Sequence, residues 1–138
     1  MTFTKHWCSR LLKVNKDTGV QSLSPWEPNW HVKYRKMDPS IPIHYGYRPA
    51  FEVTGWCLMM HKDVINKCKL FDPRFVYWYQ DNDYALTLQK YNIKHALVTN
   101  SRVYHSVSKS LSLVSKENFY HMTDGQIEVL RKKWGNNI

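Results

Sequence analysis

The sequence predicts an α/β fold, because segments of strand character and segments with helical spacing alternate through its second half. Residues 51–60 form an apolar, β-favouring run, residues 83–91 space their apolar side chains as a helix does, and residues 94–98 return to strand character. The 138 residues amount to one domain. With 43% hydrophobic and 14% aromatic residues, a disordered or low-complexity chain is excluded.

Residues 1–50 are predicted to be extended and irregular. Four prolines lie in this region and a fifth, Pro49, lies at its edge, and proline removes a backbone donor and blocks helix continuation. A short strand fits residues 13–23. The region shows little apolar periodicity, so we expect it to wrap a neighbouring surface rather than to form a core by itself.

Residues 51–60 are predicted to form a buried strand, followed by a short helix at residues 62–67. Gly55 interrupts the strand. A glycine at such a position weakens a strand and often marks a bulge or the close approach of a ligand or another backbone segment. A simple packing glycine is the alternative.

An amphipathic helix is predicted at residues 83–91, with Asp81 or Asn82 capping its first turn. Asn92 follows, and asparagine tolerates the left-handed conformation that ends many helices. Beyond it we predict one strand at residues 94–98 and, after a turn, a second at residues 101–105.

The C-terminal part, residues 111–138, is predicted to be helical. Thr123 and Gln126 have the spacing of a capping box, and a helix should follow to Trp134 and end at Gly135. The chain therefore divides into an irregular region (1–50), an α/β core that bears the motifs (51–110) and the C-terminal helices.

Charge points to anionic partners. The net charge of +9 favours nucleic acid, phosphate-bearing small molecules or a membrane surface. Two small basic clusters stand out, at residues 33–36 and 131–133, although such clusters more often belong to an ordinary solvated face.

The three cysteines, Cys8, Cys57 and Cys68, lack the spacing of a disulfide framework or a zinc knuckle, which fits a reducing compartment. The first six residues lack the apolar stretch of a signal peptide, and the longest apolar run, residues 56–60, is too short to span a bilayer. We therefore expect a cytoplasmic protein without a transmembrane segment.

Asp81 is the strongest candidate for chemistry, since a carboxylate fixed at a helix start can act as a general base, although such a residue is more often only a cap. Asp83, within the first turn, is predicted to be structural. His105 could bind a divalent metal or act as an acid or base, with a satisfied or solvent-facing imidazole as the alternative. Four aromatic residues could form a platform for a sugar ring or a base, or could pack in the core: Trp56, Trp78, Tyr77 and Tyr79.

The order of motifs over residues 50–110 resembles the C-terminal, acceptor-side half of a family 2 glycosyltransferase with a GT-A fold. The motifs are Thr54-Gly55-Trp56, Phe71-Asp72-Pro73-Arg74-Phe75, Tyr79-Gln80-Asp81-Asn82-Asp83-Tyr84 and Val103-Tyr104-His105. The resemblance implies a Rossmann-like mixed sheet with flanking helices. It departs from the family pattern at Gln80, Thr87 and Asn92, where Glu, Arg and Gly are usual.

In such an enzyme, Asp81 would be the general base for the acceptor hydroxyl, and the anomeric carbon would be inverted. His105 would be a ligand of Mn²⁺ or Mg²⁺, and the acceptor site would include Gly55, Trp56, Trp78 and Gln80. The family's nucleotide-binding half has no counterpart in these residues. The resemblance therefore implies a nucleotide-sugar donor, a hydroxyl-bearing acceptor such as a carbohydrate, and a complementing chain or a homo-oligomer.

Two other functions remain open. The first is a basic nucleic-acid-binding module, in which Lys33, Arg35 and Lys36 contact phosphates and aromatic side chains stack on bases. The second is a non-catalytic relative of glycosyltransferases that keeps the fold for protein contacts, which the replacement of the usual Glu by Gln80 would suit.

Overall fold

Five strands, five helices and one π-helical turn make up the described part of the chain. The computed structural model describes residues 1–69, 71–106 and 113–136. In chain order the elements are β1 (Thr2–Phe3), α1 (Trp7–Thr18), β2 (Ser22–Trp26), the π-helical turn (Asn29–Tyr34), β3 (Ile43–Tyr45), β4 (Met59–Met60), α2 (Lys62–Cys68), α3 (Gln80–Lys90), β5 (His95–Tyr104), α4 (Lys116–Met122) and α5 (Gln126–Trp134). The prediction of an α/β chain is confirmed.

The sheet is built around β5, its longest strand. β5 pairs in parallel with β2 and antiparallel with β1 and β3, and β2 pairs antiparallel with β4. The sheet is therefore mixed, in the order β1-β5-β2-β4, with β3 also paired to β5. A register shift after Pro25 brings Trp26 opposite Arg102. The end of β2 thus lies close to the end of β5, where His105 follows.

Alternation along the two central strands separates the faces of the sheet, because successive side chains of a strand point to opposite sides. Leu23 and Val98 pack with Leu11 of α1 in one apolar cluster. On the other face, the Ser22 hydroxyl lies 2.7 Å from the hydroxyl of Tyr84 in α3. Helices therefore flank the sheet on both sides.

Residues 1–50 are predicted to be irregular, which is wrong for Trp7–Thr18, because these residues form α1. The predicted strand at residues 13–23 is wrong for the same reason as far as Thr18. Trp7, Leu11 and Val14 recur at helical spacing and pack on the sheet, so burial of this face favours the helix. Gly19 ends the helix in the left-handed conformation (φ 72°). The strand begins only at Ser22 and supplies part of the core.

The predicted strand at residues 51–60 is also wrong except for Met59 and Met60. Ala50 adopts a left-handed conformation (φ 62°), and its N–H donates to the carbonyl of Val53 at 2.8 Å. A second turn follows, where the N–H of Cys57 donates to the carbonyl of Thr54 at 3.2 Å. Burial explains the apolar pattern, because Val53 is fully buried between these turns and makes only an isolated bridge to Pro49.

Three predicted helices are confirmed with shifted ends, as α2, α3 and α5. Asn92 is left-handed after α3 (φ 52°), and Gly135 follows α5 with φ 92°. The predicted cap at Asp81 or Asn82 is wrong, because left-handed Tyr79 (φ 65°) precedes the helix. The two strands predicted at residues 94–98 and 101–105 are the single strand β5, and the turn between them is wrong.

The capping box before α5 is also wrong. The Thr123 hydroxyl donates to the carbonyl of Phe119 at 2.6 Å, and the Gln126 side chain donates to the carbonyl of His121 at 2.8 Å. Within the described residues, no helix combines the length and the apolar composition needed to cross a bilayer. Cys8, Cys57 and Cys68 are free thiols.

Candidate functional site

All six residues predicted for a site line one open cleft of about 640 Å³. They come from three separate parts of the chain: the turn that contains Gly55 and Trp56, the segment from Trp78 to Asp81, and His105 at the end of β5. This volume lies in the range of small-molecule sites. The fold thus brings the predicted residues together, although they are up to 50 positions apart in the sequence.

Asp81 lies in the first turn of α3 with its side chain largely withdrawn from solvent. Its Oδ1 accepts a hydrogen bond from the backbone N–H of Asn82 at 3.0 Å. Burial raises the pKa of this carboxyl above its ordinary value, because desolvation disfavours the charged form. Across the described ranges no Lys, Arg or His forms an ion pair with it. Asp81 is therefore a carboxylate whose proton affinity is increased, as a general base requires.

Gly55 lies directly against Asp81. A Cβ atom added to Gly55 would be 3.2 Å from the Cβ of Asp81 and 3.6 Å from its Cγ. The group that lies against this glycine is the Asp81 side chain, neither a ligand nor a backbone segment, so Gly55 corresponds to the alternative of a packing glycine. Any larger residue would press on the candidate base.

Trp56 and His105 stack on each other at one wall of the cleft. Their ring centroids are 5.2 Å apart with an interplanar angle of 13°. Partial burial lowers the pKa of His105, which favours the neutral imidazole. On its other side Trp56 meets Trp30 edge to face, with the ring centroids 5.6 Å apart. A continuous aromatic surface results.

An exposed aromatic strip, residues 76–79, forms another part of the wall. Tyr77 and Trp78 are 38% and 40% exposed, so packing in the core does not account for them. The strip is fixed from the C-terminal helices: the Trp78 N–H donates to the carbonyl of Met122 at 3.0 Å, and the Val76 N–H donates to Oε1 of Gln126 at 2.9 Å. Gln80 lines the cleft and donates through Nε2 to the carbonyl of Phe75 at 2.8 Å.

Asp83 is structural, as predicted. It is 4% exposed and lies 2.8 Å from Nζ of Lys133, and its Oδ1 accepts from Nε1 of Trp134 at 2.7 Å. Lys133 also pairs with Asp72 at 3.0 Å. These contacts attach α5 to α3 and to the turn before the aromatic strip.

The described residues do not form a metal centre around His105. No group of three or more His, Cys, Asp or Glu side chains suited to a metal ion occurs in residues 1–69, 71–106 and 113–136. Mg²⁺ and Mn²⁺ prefer several oxygen ligands, and a single imidazole stacked on Trp56 does not supply that donor set.

Sequence reasoning missed Trp30 and Ala50 as cleft residues, and it considered Arg35 only for nucleic acid. All three line the cleft. The cluster at residues 33–36 was the available signal, but the structure separates its members, because Lys33 and Lys36 are exposed and do not line the cleft. Arg35 is thus the basic residue of the cleft.

Two histidines are buried in the neutral form near this region. Nε2 of His31 donates to the carbonyl of Phe51 at 3.1 Å, and Nδ1 accepts from the N–H of Glu27 at 2.9 Å. Nε2 of His95 donates to the carbonyl of Glu52 at 2.8 Å, and Nδ1 accepts from the Ser22 hydroxyl at 2.7 Å. Desolvation lowers the pKa of each imidazole to about 4.

No protein-family model, no curated protein and no solved structure matches this chain.

Proposed function

We propose that the chain is a glycosyltransferase, or the acceptor-side half of one, that transfers a sugar from a nucleotide-sugar donor to an acceptor hydroxyl with inversion. The observation that carries this proposal is the placement of Asp81. A desolvated carboxylate without an ion-pair partner among the described residues shares one cleft with Trp56 and Trp78. Aromatic faces of this kind suit the apolar faces of sugar rings.

In the proposed reaction, Asp81 accepts a hydrogen bond from the acceptor hydroxyl and takes its proton as the oxygen attacks the anomeric carbon. The bond from that carbon to the nucleoside diphosphate breaks, and the bonding electrons leave with the phosphate oxygen. Attack from the side opposite the leaving group inverts the carbon. The raised pKa of Asp81, caused by burial, supports its role as proton acceptor.

Recognition of the acceptor would use the residues around the base. Gln80 uses its amide nitrogen within the protein, so its Oε1 is the atom available to a sugar hydroxyl. Gly55 leaves room beside Asp81, and Trp56 and Trp78 offer ring faces. The donor's nucleotide would be held by a complementing chain or by a second copy of this one.

A divalent ion, Mn²⁺ or Mg²⁺, stays part of the proposal through the family resemblance. When bound, such an ion would neutralise the negative charge that develops on the departing diphosphate. His105 would supply one of its ligands, and the remaining ligands would come from the complementing chain or second copy that holds the donor. His105→Ala should therefore weaken metal-dependent nucleotide binding, measured by calorimetry with Mn²⁺ and with a chelator.

The test of the activity is release of nucleoside diphosphate from UDP- and GDP-sugars in the presence of acceptor sugars. Asp81→Asn should reduce transfer about 10² to 10⁴-fold, the usual contribution of a general base. Asp63→Asn is the matched control, because Asp63 is an exposed carboxylate at the start of α2. Equal turnover by wild type and Asp81→Asn would refute the assignment.

Single-stranded nucleic acid is the second candidate ligand. The exposed rings of Tyr77 and Trp78, Arg35 in the same cleft and the net charge of +9 favour it. Oligonucleotide affinity should fall steeply as salt rises. Binding of a neutral disaccharide, by contrast, should be insensitive to salt, so the two titrations separate these functions.

A further inference from the structure

Arg35 is held in a fixed position at the cleft by the π-helical turn. The backbone N–H of Arg35 donates to the carbonyl of Trp30, five residues earlier, at 3.1 Å. This i to i+5 hydrogen bond is characteristic of a π-helix, and such turns are frequent at functional sites. It brings the guanidinium carbon to 4.5 Å from the centre of the Trp30 ring. The ring of Phe51 lies 4.9 Å from the same carbon.

The carbonyl of Ala50 completes this arrangement. It accepts hydrogen bonds from Nε of Arg35 at 3.2 Å and from Nε1 of Trp30 at 2.8 Å. Ala50 adopts a left-handed conformation with φ 62°, which is unfavourable for a residue with a Cβ. The two hydrogen bonds that its carbonyl accepts offset the cost of this conformation. The guanidinium is thus oriented before any ligand arrives.

The charge of Arg35 has no counter-ion among the residues that the structure describes. No carboxylate lies within 4.0 Å of it, whereas Arg48 pairs with Glu52 and Arg74 pairs with Asp72. Of the three guanidinium nitrogens of Arg35, only Nε takes part in a hydrogen bond within residues 1–69, 71–106 and 113–136. Its terminal NH₂ groups are therefore free to bind a ligand in the cleft.

We propose that Arg35 is an oxyanion-binding site, which receives a phosphate or carboxylate group of the ligand bound in the cleft. A planar, stacked guanidinium forms paired hydrogen bonds to such groups, and aromatic contacts limit the rotamer freedom that binding would otherwise remove. This inference rests on the proposed function, because the inference specifies that the carbohydrate ligand carries an acidic or phosphate group. The oxyanion has two possible sources: the diphosphate of a donor, or the acid group of a sugar such as a uronate.

The experiment titrates the full chain with sodium pyrophosphate, with glucuronate and with glucose, and follows the arginine Nε–H and tryptophan Nε1–H signals by NMR. We expect pyrophosphate, glucuronate or both to shift the Arg35 and Trp30 signals, and glucose not to shift the Arg35 signal. Response to pyrophosphate alone assigns the diphosphate as the source, and response to glucuronate alone assigns a sugar acid. The absence of any response of Arg35 to both anions would overturn the proposal.

The matched variants separate this site from general charge attraction. Arg35→Gln should weaken anion binding at least tenfold, the loss typical of a charged hydrogen bond, whereas Lys33→Gln removes an exposed charge nearby and should leave the affinity unchanged. Equal losses in the two variants would overturn the proposal. Arg35→Lys conserves the positive charge but removes the planar guanidinium. An anion affinity equal to wild type in that variant would overturn the role of the guanidinium.

Anion binding is measured without turnover, so its outcome is independent of the proposed activity. Asp81→Asn should reduce transfer about 10² to 10⁴-fold and keep anion binding, whereas Arg35→Gln should weaken anion binding. Transfer that is unaffected by Asp81→Asn would refute the glycosyltransferase proposal alone. Anion binding that is unaffected by Arg35→Gln would refute the oxyanion site alone.

Discussion

Replacing Gly55 by alanine should displace the candidate base. The new Cβ would lie 3.2 Å from the Cβ of Asp81, whereas carbon atoms pack best at about 3.5 to 4.0 Å. Asp81 or the turn must therefore move by about half an ångström, and overpacking of this kind costs about 1 to 3 kcal/mol. Gly55 is not among the glycines with positive φ, so the lower chain entropy of alanine in the unfolded state offsets about 0.4 to 1 kcal/mol.

The net loss in the free energy of unfolding is therefore about 1 kcal/mol, which lowers the melting temperature by about 3 °C for a chain of this size. Transfer should fall more than stability, since a misplacement of about 1 Å can cost about 10²-fold in rate and half that displacement about tenfold. The assays are thermal unfolding by circular dichroism, nucleoside diphosphate release, and an NMR pH titration of the Asp81 carboxyl carbon.

Gly46→Ala is the control, because it is the same substitution at another crowded position. A Cβ there would be 2.7 Å from Cδ of Glu52, and Gly46 does not line the cleft. It should destabilise the protein and leave the titration of Asp81 unchanged. If Gly55→Ala leaves the Asp81 titration, the melting temperature and the rate as in wild type, the close approach does not constrain the base and the reasoning is refuted.

Three further predictions concern ionisable groups. Lys133→Ala removes the cation from buried Asp83 and should cost about 2 kcal/mol in chemical denaturation, less than for a fully buried pair because Lys133 is 26% exposed. Burial lowers the pKa values of His31 and His95 to about 4, so between pH 6.5 and pH 4 their imidazoles bind a proton only in the unfolded state. The free energy of unfolding should therefore fall by about 3 kcal/mol for each imidazole over this range. Urea unfolding at several pH values measures the loss. Transfer should fall at acidic pH with a midpoint above the ordinary pKa of an aspartate, since burial raises the pKa of Asp81, and kcat/KM against pH measures this.

The first of these predictions has a control at an exposed position, and the other two have a contradicting outcome. Lys132→Ala removes a neighbouring charge of α5 and should change stability by no more than about 0.5 kcal/mol. A free energy of unfolding that stays constant between pH 6.5 and pH 4 would contradict the burial of His31 and His95 as neutral imidazoles. A midpoint for transfer at the ordinary pKa of an aspartate would contradict the influence of burial on Asp81.

Much of the cleft could be predicted because several of its residues lie at the ends of helices and strands. Side chains at these ends line the cleft and are not buried in the core. Asp81 lies in the first turn of α3 and His105 follows β5, and short motifs mark both positions. Trp30 and Arg35 could not be predicted in the same way. Their contact depends on an i to i+5 hydrogen bond, and a helical pattern with 3.6 residues per turn does not place residues five apart together.

The errors in the fold have equally local causes. Trp7, Leu11 and Val14 carried a helical signal that the many prolines further along the region obscured. The apolar run at residues 51–60 predicts a strand, but tertiary contacts bury Val53 within turns, and periodicity alone does not distinguish these two outcomes. The turn predicted between residues 98 and 101 does not form, because Asn100 is exposed within β5, where a polar side chain is tolerated.

The parallel pairing of β2 with β5 has a consequence for how the chain folds as it is synthesised. Ser22 pairs with His95, so more than seventy residues must be made before the centre of the sheet can form. Contacts this distant along the chain slow folding, and until β5 emerges from the ribosome β2 presents an unpaired edge on its β5 side. A nascent chain that stops before β5 has neither the sheet nor the cleft. Translation that is rapid through residues 27–104 should therefore reduce aggregation.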